Sequence, residues 1–361
     1  MRIVYLAEYN TCRSSGVLKK VLGQTNTWRS LGHSVKLILV SPPCKNKKSV
    51  ISESAEVFSS EFLLYTSGYL QTYLNKIVVR KNIQKNISQY KPDLIYYRDG
   101  LWYPGLLQIL SMAPYVIEVN TIPDTEYFGF KKLLYLLSRR KLYTRAAGIV
   151  AVTEEIANRF REYNTQVHVS PNSFDIGRTT PRYPPSNEVP TLLFVGSPAQ
   201  RWQGVDRLIG LARALPEFDF HIAGSEGWPN TPQNIYFHGY IDSKNLYNLY
   251  HRADVGIGTL ALYRKKMSQA TPLKIREYLA YGLPVIIAYD DMPLKGLDFV
   301  LRLPSEGDLA RHAEEVRAFV LKWKGKEIPR EVVASRINML ETEQNKLCFL
   351  QSLTGDDRES Y

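Results

Sequence analysis

Cysteine is scarce in this chain of 361 residues: there are three, Cys12, Cys44 and Cys348, far apart in sequence. Their spacing matches no metal-ligand pattern, and a scattered odd set builds no disulfide framework. Disulfide-stapled and cysteine–zinc proteins are thereby excluded, and a reducing compartment is expected. Long apolar runs are missing too. No stretch approaches the ~18–20 apolar residues of a membrane span. The opening Met1-Arg-Ile-Val-Tyr-Leu6 reads as a strand, not as the apolar core of a secretory signal. The expected location is therefore the cytoplasm. Acid is short relative to base: 35 Asp and Glu stand against 46 Lys and Arg, a formal charge of +11. A basic surface attracts nucleic acid, anionic lipid head groups or phosphorylated substrates, and charge alone does not choose among them. What is present is ordinary for a globular protein, with 44% hydrophobic and 22% charged residues. The length suggests about two domains.

The pattern along the chain is alternating. Strands read at 2–7 and 34–40 flank a helix at about 17–31 that Gly32-His33 ends. This is a βαβ unit, which implies a parallel sheet. Further strands read at 94–97, 115–119, 148–153 and 167–170. Residues 173–190, with Arg182-Tyr-Pro-Pro-Ser186, have few apolar positions and read as a linker. A second series follows, with strands at 191–195, 219–223, 235–238, 255–259 and 284–288. Its helices are at 205–215, 245–251 and about 274–281, before a long final helix at about 330–352. The expected division is 1–175, a linker at 176–190, 191–330, and a C-terminal helix in 331–361 that packs back toward the first domain. Two such α/β domains form a cleft, and open parallel sheets bind ligands at the carboxyl ends of their strands. Gly16, Gly196 and Gly239 follow strands, where glycine lets a backbone approach a ligand, or simply turns.

The second half carries motifs in a specific order. They are Phe194-Val-Gly-Ser197, Gln203-Gly-Val-Asp-Arg-Leu-Ile209, Ile222-Ala-Gly224, Asn234-Ile-Tyr-Phe-His-Gly-Tyr240 and Ala253-Asp-Val-Gly-Ile257. Thr271-Pro-Leu-Lys-Ile-Arg-Glu-Tyr-Leu-Ala-Tyr-Gly-Leu-Pro-Val285 closes the series, and Pro171-Asn-Ser-Phe-Asp175 precedes the linker. In order and spacing these resemble the signature of family 4 retaining glycosyltransferases with the GT-B fold, over nearly all of residues 1–285. The resemblance implies two Rossmann-like parallel-sheet domains facing each other across a cleft. It also implies transfer of a hexosyl group from a nucleotide-diphosphate sugar, with no metal or other cofactor. Asp-x-Asp is absent from any plausible donor loop, which agrees.

The residues at the donor motif fit that chemistry. Pro272 stands where a helix begins, its φ suited to a first turn. The amides of Leu273 and Lys274 then face outward and, with the helix dipole and the Lys274 charge, suit a diphosphate. The resemblance gives Glu277 the ribose hydroxyls, and it places Gly196, Ser197, Arg201, Gln203, Gly204, Thr271, His238 and Tyr240 around the donor. Read alone, Lys274 and Glu277 also suit a plain solvated helix face. Two departures stand out. Gln269 occupies the place of a second glutamate near the transferred sugar. Ser197 and Gln203 stand where the family often has Arg and Lys on the diphosphate, so Arg201 or Lys274 would supply that charge. Lys274, Gln269 and Glu118 are the candidate catalytic residues, because charge growing on the departing phosphate needs fixed donors and cations.

The first half is expected to hold a glycan or lipid-linked acceptor. Arg13, Ser14, Ser15 and Gly16 lie in the first loop, Arg98 and Asp99 end a strand, and Glu118 takes the place of a family histidine near the donor sugar. Residues 130–145 carry Lys131, Lys132, Arg139, Arg140, Lys141 and Arg145 and no acid. As a helix they put Leu133, Leu136, Leu137 and Tyr143 roughly on one side, with Tyr135 and Leu142 among the basic residues. Such a helix suits an anionic membrane surface, on the inner face, or a core-packed helix with a solvated basic face. Polysaccharide or glycolipid synthesis follows as the expected setting. Other classes fit less well. A dinucleotide-binding dehydrogenase or epimerase needs a full Gly-x-Gly-x-x-Gly after the first strand, and only Gly16 is present. A non-catalytic nucleotide-sugar-binding partner of another transferase fits the losses at Ser197, Gln203 and Gln269. A nucleic-acid partner is not expected, since no recognition motif accompanies the charge.

Overall fold

A computed structural model describes residues 1–11, 16–42, 55–59, 68–196 and 200–355. The chain divides into two compact units, one of Met1–Pro171 together with the chain from Met339 onward, the other Asn172–Asn338. The first boundary falls at Pro171/Asn172, four residues before the sequence-based one.

The first unit runs β1 (Arg2–Glu8), α1 (Gly16–Ser30), β2 (Ser34–Val40), β3 (Ala55–Phe58), α2 (Gly68–Tyr90), β4 (Leu94–Arg98), α3 (Leu106–Leu110), β5 (Tyr115–Val119), α4 (Pro123–Glu126), α5 (Gly129–Thr144), β6 (Gly148–Ala151), α6 (Glu154–Phe160) and β7 (Val167–Val169). Its seven strands lie in the order β3-β2-β1-β4-β5-β6-β7, every pairing parallel. The central strands are buried along nearly their whole length, which is why they read as unbroken apolar runs: helices cover both faces of such a sheet. Trp28 on α1 sits at the centre of the core with Tyr5 and Tyr96, ring centroids 5.0–5.7 Å apart.

The second unit runs β8 (Thr191–Val195), α7 (Val205–Ala214), β9 (Asp219–Ala223), β10 (Ile235–Phe237), α8 (Ser243–Arg252), β11 (Val255–Ile257), α9 (Leu273–Ala280), β12 (Val285–Ile287), β13 (Val300–Arg302), α10 (Ala313–Trp323) and α11 (Arg330–Ile337). Its six strands lie in the order β10-β9-β8-β11-β12-β13, again all parallel. Both sheets reverse strand order once, between β1 and β4 and between β8 and β11. Ligands of doubly wound sheets bind outside the carboxyl ends of the strands at such a point.

The last expected helix is two. Asn338 leaves the helical region (φ −62°, ψ 123°) and separates α11 from α12 (Met339–Ser352). The amide of Phe174 bonds the carbonyl of Ile337 there (2.8 Å), so the break is pinned within the second unit. From Met339 the chain belongs to the first unit, where Leu347 and Leu350 of α12 enter the core beside Trp28. Glu343 accepts from Trp28 Nε1 (2.8 Å) and Gln24 Nε2 (3.1 Å) and pairs with Lys346. Helix α2 had no sequence signal because its buried apolar positions, Val79, Ile83 and Ile87, form one narrow stripe on a polar helix.

Candidate functional site

In the second unit, the carboxyl end of β8 is shaped by close backbone approach. Gly224 has φ +104°, and a Cβ there would run into the carbonyl oxygen of Gly196. Gly224 therefore stays bare, and a Cβ on Gly196 would meet the Gln203 carboxamide. Gly204, at φ +77°, starts α7, and a Cβ would press on Leu260. The Gln203 side chain turns back across Gly196: its Nε2 donates to Gln200 Oε1 (3.0 Å), and its Oε1 accepts from Lys274 Nζ (2.9 Å). The Lys274 ammonium lies 4.0 Å from the centroid of Phe194. Thus Gly196, Gln203, Gly204 and Lys274 come together. Burial pushes the Lys274 ammonium down to about 7. No acid among the described residues neutralises it, and an aromatic face is its second neighbour.

Helix α9 holds Lys274 in its first turn. Pro272 is the residue before the helix (φ −66°, ψ 140°) rather than its first helical residue. The first helical bonds run from the amides of Ile275 and Arg276 to the Pro272 carbonyl, so those of Leu273 and Lys274 precede them. Thr271, buried, accepts from the Asn172 amide at its Oγ1 (3.2 Å) and from Asn172 Nδ2 at its carbonyl (2.7 Å). Arg276 Nε donates to the Asn172 carbonyl (2.7 Å), and its guanidinium grips Asp291 with two 2.7 Å bonds, both side chains 0% exposed. A buried forked pair of this kind fixes geometry as well as charge. Glu277, one turn on, is half-buried and, with burial, raises the phenols of Tyr250 and Tyr281.

The remaining donor-side candidates sit further out. Arg201 is exposed, with its carbonyl held by Arg264 Nη1 (2.8 Å). Gln269 pairs with Asp290 in an isolated bridge. His238 shares a 2.8 Å ring-nitrogen contact with His221, and burial lowers both imidazoles. Tyr240 is 80% exposed. Ser197 lies outside the described residues.

In the first unit, Arg13, Ser14 and Ser15 also lie outside the described residues, and Gly16 opens α1. Glu118 is central and closed: its side chain is 1% exposed. Oε1 accepts from Lys20 Nζ (2.5 Å), Arg98 Nη1 (2.8 Å) and Asn120 Nδ2 (2.9 Å), and Oε2 from Tyr96 (2.9 Å) and Tyr5 (3.2 Å) hydroxyls. Burial alone would raise this carboxyl, but Lys20 and Arg98 hold it well below the usual carboxylate range. Lys20 itself is lowered to about 8, burial outweighing Glu118. Five donors occupy one carboxylate, which corrects the picture of Glu118 as a group open to sugar hydroxyls. Asp99 accepts from the Tyr143 hydroxyl (3.0 Å), and burial pushes it to about 7.

The basic segment is a helix, α5, and of the apolar side read from the sequence only Tyr143 turns inward, joined by Tyr135 and Leu142 from the basic side. Tyr135, Leu142 and Tyr143 are buried. Leu133, Leu136 and Leu137 are exposed, as are Phe128 and Phe130 just before them. Tyr135, Tyr143 and Phe160 pack edge to face, and these rings outcompete leucines for the core. Sequence reasoning missed Lys20, Asn120, Asn172, Phe194 and Asp291. Lys20 carried a readable sign, a lysine on the apolar side of α1 four residues before Gln24.

Two family models match the chain. One, described as Glycosyltransferase Family 4, covers residues 16–178. The other, described as Glycosyl transferase-like, covers residues 203–344. No curated protein matches the sequence. Among solved structures, sucrose-phosphate synthase (tll1590) from Thermosynechococcus elongatus is similar with TM-score 0.76 and 16% identity, covering 98% of this chain and 99% of its own. A glycosyltransferase from Rickettsia africae ESF-5 has TM-score 0.66 and 16% identity over 98% and 99%. Anabaena Alr3699/HepE, solved with UDP and glucose, has TM-score 0.65 and 16% identity over 97% and 99%. At these identities the likeness is one of fold, the GT-B arrangement of two parallel-sheet units.

Proposed function

We propose, from the premise that this chain is a family 4-type glycosyltransferase, that it moves a hexosyl group with retention from a nucleoside-diphosphate sugar to a glycan or lipid-linked acceptor in cell-surface polysaccharide or glycolipid synthesis. The observation that carries the donor reading is Lys274: a desolvated cation without a carboxylate partner among the described residues, in the first turn of α9, beside the end of β8. A diphosphate is the ligand such a place suits, because it completes the charge and meets outward amides. Leu273, Thr271, Gly196, Gly204 and Gln203 frame the diphosphate in this reading. Glu277 takes the ribose, Gln269 the transferred sugar, and Arg201, His238 and Tyr240 the outer edge.

The reaction breaks the bond from the anomeric carbon to the β-phosphate oxygen and forms one to the acceptor oxygen on the same face. The acceptor proton passes to the departing phosphate oxygen. Lys274 and the first amides of α9 lower the barrier by meeting the charge that grows there. No metal is required in this scheme, so donor affinity should be indifferent to EDTA. Glu118 acts as a positioning residue, holding Arg98 and Lys20, while Arg98 and Asp99 contact the acceptor.

The outward apolar row of α5 and the residue before it, with Phe128 77% and Leu137 72% exposed among Lys131, Lys132, Arg140 and Lys141, supports contact with the inner face of an anionic membrane. No helix among the described residues is long and apolar enough to cross one. The test of the main reading is calorimetry against UDP, GDP, ADP, dTDP and their sugar conjugates, followed by donor-hydrolysis assays. Selective binding with slow turnover supports a transferase. Binding with no turnover of donor, with or without acceptor, favours the non-catalytic partner that Gln203 and Gln269 allow. No binding to any of them overturns the donor assignment.

A further inference from the structure

A cavity of about 520 Å³ lies between α3 and α5 in the first unit, and neither Glu118 nor any of its donors lines it. Its volume is that of a small-molecule site, for which about 300–1,000 Å³ is usual. Trp102, Leu107, Leu134, Leu137 and Leu142 give it apolar walls. Lys141 and Arg145 stand in the same lining, both exposed, and no acid lines it. Neither cation has an ion-pair partner among the described residues. Leu137 belongs at once to the cavity wall and to the outward apolar row of α5, so the cavity opens onto the face that meets lipid in the membrane reading above.

We propose that this cavity is a lipid site that takes one hydrocarbon chain of an anionic bilayer phospholipid, with the phosphate on Lys141 and Arg145. The chain replaces water against leucine and indole, which is favourable for a preformed apolar slot. The two cations select the head group, since a lipid without negative charge leaves them uncompensated. Leu142 precedes Tyr143, whose hydroxyl holds Asp99. An occupied cavity therefore bears on the helix that fixes an acceptor-side carboxyl. The proposal rests on the membrane reading only for where the lipid comes from.

Trp102 is a built-in reporter, one of five tryptophans. The probe is dodecyl phosphate kept below micelle formation, titrated into the full chain, with Trp102→Phe as the fluorescence blank. One-site saturation is expected. Dodecyl maltoside should bind at least tenfold more weakly, and Lys141→Glu/Arg145→Glu should weaken the phosphate probe at least tenfold. Ser138→Phe, which fills the cavity, should abolish saturation, with its melting temperature checked against the parent. Should it fail to fold, Ser111→Phe fills the other wall. Absence of a Trp102-dependent signal, equal affinity for the maltoside, or full binding by the filled variants each overturns the site. Vesicles of phosphatidylglycerol brominated on the chains then test the source, and quenching of Trp102 is expected. Probe binding without vesicle quenching would overturn the bilayer source and the membrane reading, while the donor reading would stand.

Discussion

Two lysines, one buried and one half-buried, divide the molecule's chemistry. Lys20, in the first unit, sits 2.5 Å from a carboxylate that Arg98 also holds, within a network of hydroxyls and amides. Lys274, in the second, has a glutamine oxygen at 2.9 Å and an aromatic ring, with no acid among the described residues neutralising it. Both are lowered by burial, to about 8 and about 7. The first charge is balanced from within, so its removal should be felt as stability. The second is unbalanced, and the natural way to balance it is an anion from outside. A folded protein that keeps such a cation carries strain at a site of use.

The sharpest break of this comparison is Glu118→Ala, which strands Lys20, Arg98 and two tyrosine hydroxyls. Loss of one partner of a buried ion pair costs about 3–5 kcal/mol, and urea unfolding should show it. Unchanged stability with a fall in kcat would return Glu118 to direct work on the sugar. Arg276→Ala should cost as much, because Asp291 is left charged and buried. Its urea midpoint and its donor affinity should fall together, since Asn172 and the turn before α9 lose their anchor. Lys274→Met is the opposite case. Donor affinity should drop by about 2 kcal/mol, roughly thirtyfold, the worth of a hydrogen bond to a charged group, while the melting temperature holds or rises. A large loss of stability would mean that Lys274 is structural. Glu277→Ala should weaken nucleotide-sugar binding by roughly tenfold. Unchanged affinity would remove the ribose assignment.

Much of this was legible in the chain. The two parallel sheets followed from βαβ alternation, and the strand ends that carry Gly196, Arg98 and Glu118 followed from runs of apolar residues ending in glycine or charge. Lys274 was readable because Pro272 marks a helix start. What was not legible depends on partners far apart in sequence. Glu118 looks open at a strand end until Lys20, 98 residues earlier, is brought onto it. Which face of α5 turns inward was left open by the sequence, because hydropathy ranks leucine above tyrosine, whereas ring packing of Tyr143 with Phe160 decides which side is buried. The break at Asn338 was invisible because asparagine is tolerated in helices, and only the bond from Phe174 shows why the helix stops there.

The smallest expected effect separates the two lysines without a mutation. Lys274 binds a proton more weakly in the folded chain, at about 7, than when unfolded near its ordinary 10.5. Between those values the unfolded chain holds more protons, so this residue makes stability rise with pH across that window. Donor binding runs the other way. A diphosphate favours the charged ammonium, so affinity should be flat below pH 7 and fall by up to about tenfold per unit above it, until the pKa of the complex is reached. A nucleotide-sugar is the right probe, because both ends of its diphosphate are esterified, so it has no secondary phosphate ionisation near neutrality and keeps its two charges over this range. Calorimetry at pH 6.5, 7.5 and 8.5 in buffers of different ionisation heat should also register proton uptake at pH 7.5 and 8.5. Lys274→Met should lose both the slope and the uptake. If the slope persisted in that variant, the titrating group would be elsewhere, and the unbalanced lysine would cease to explain why this place binds an anion.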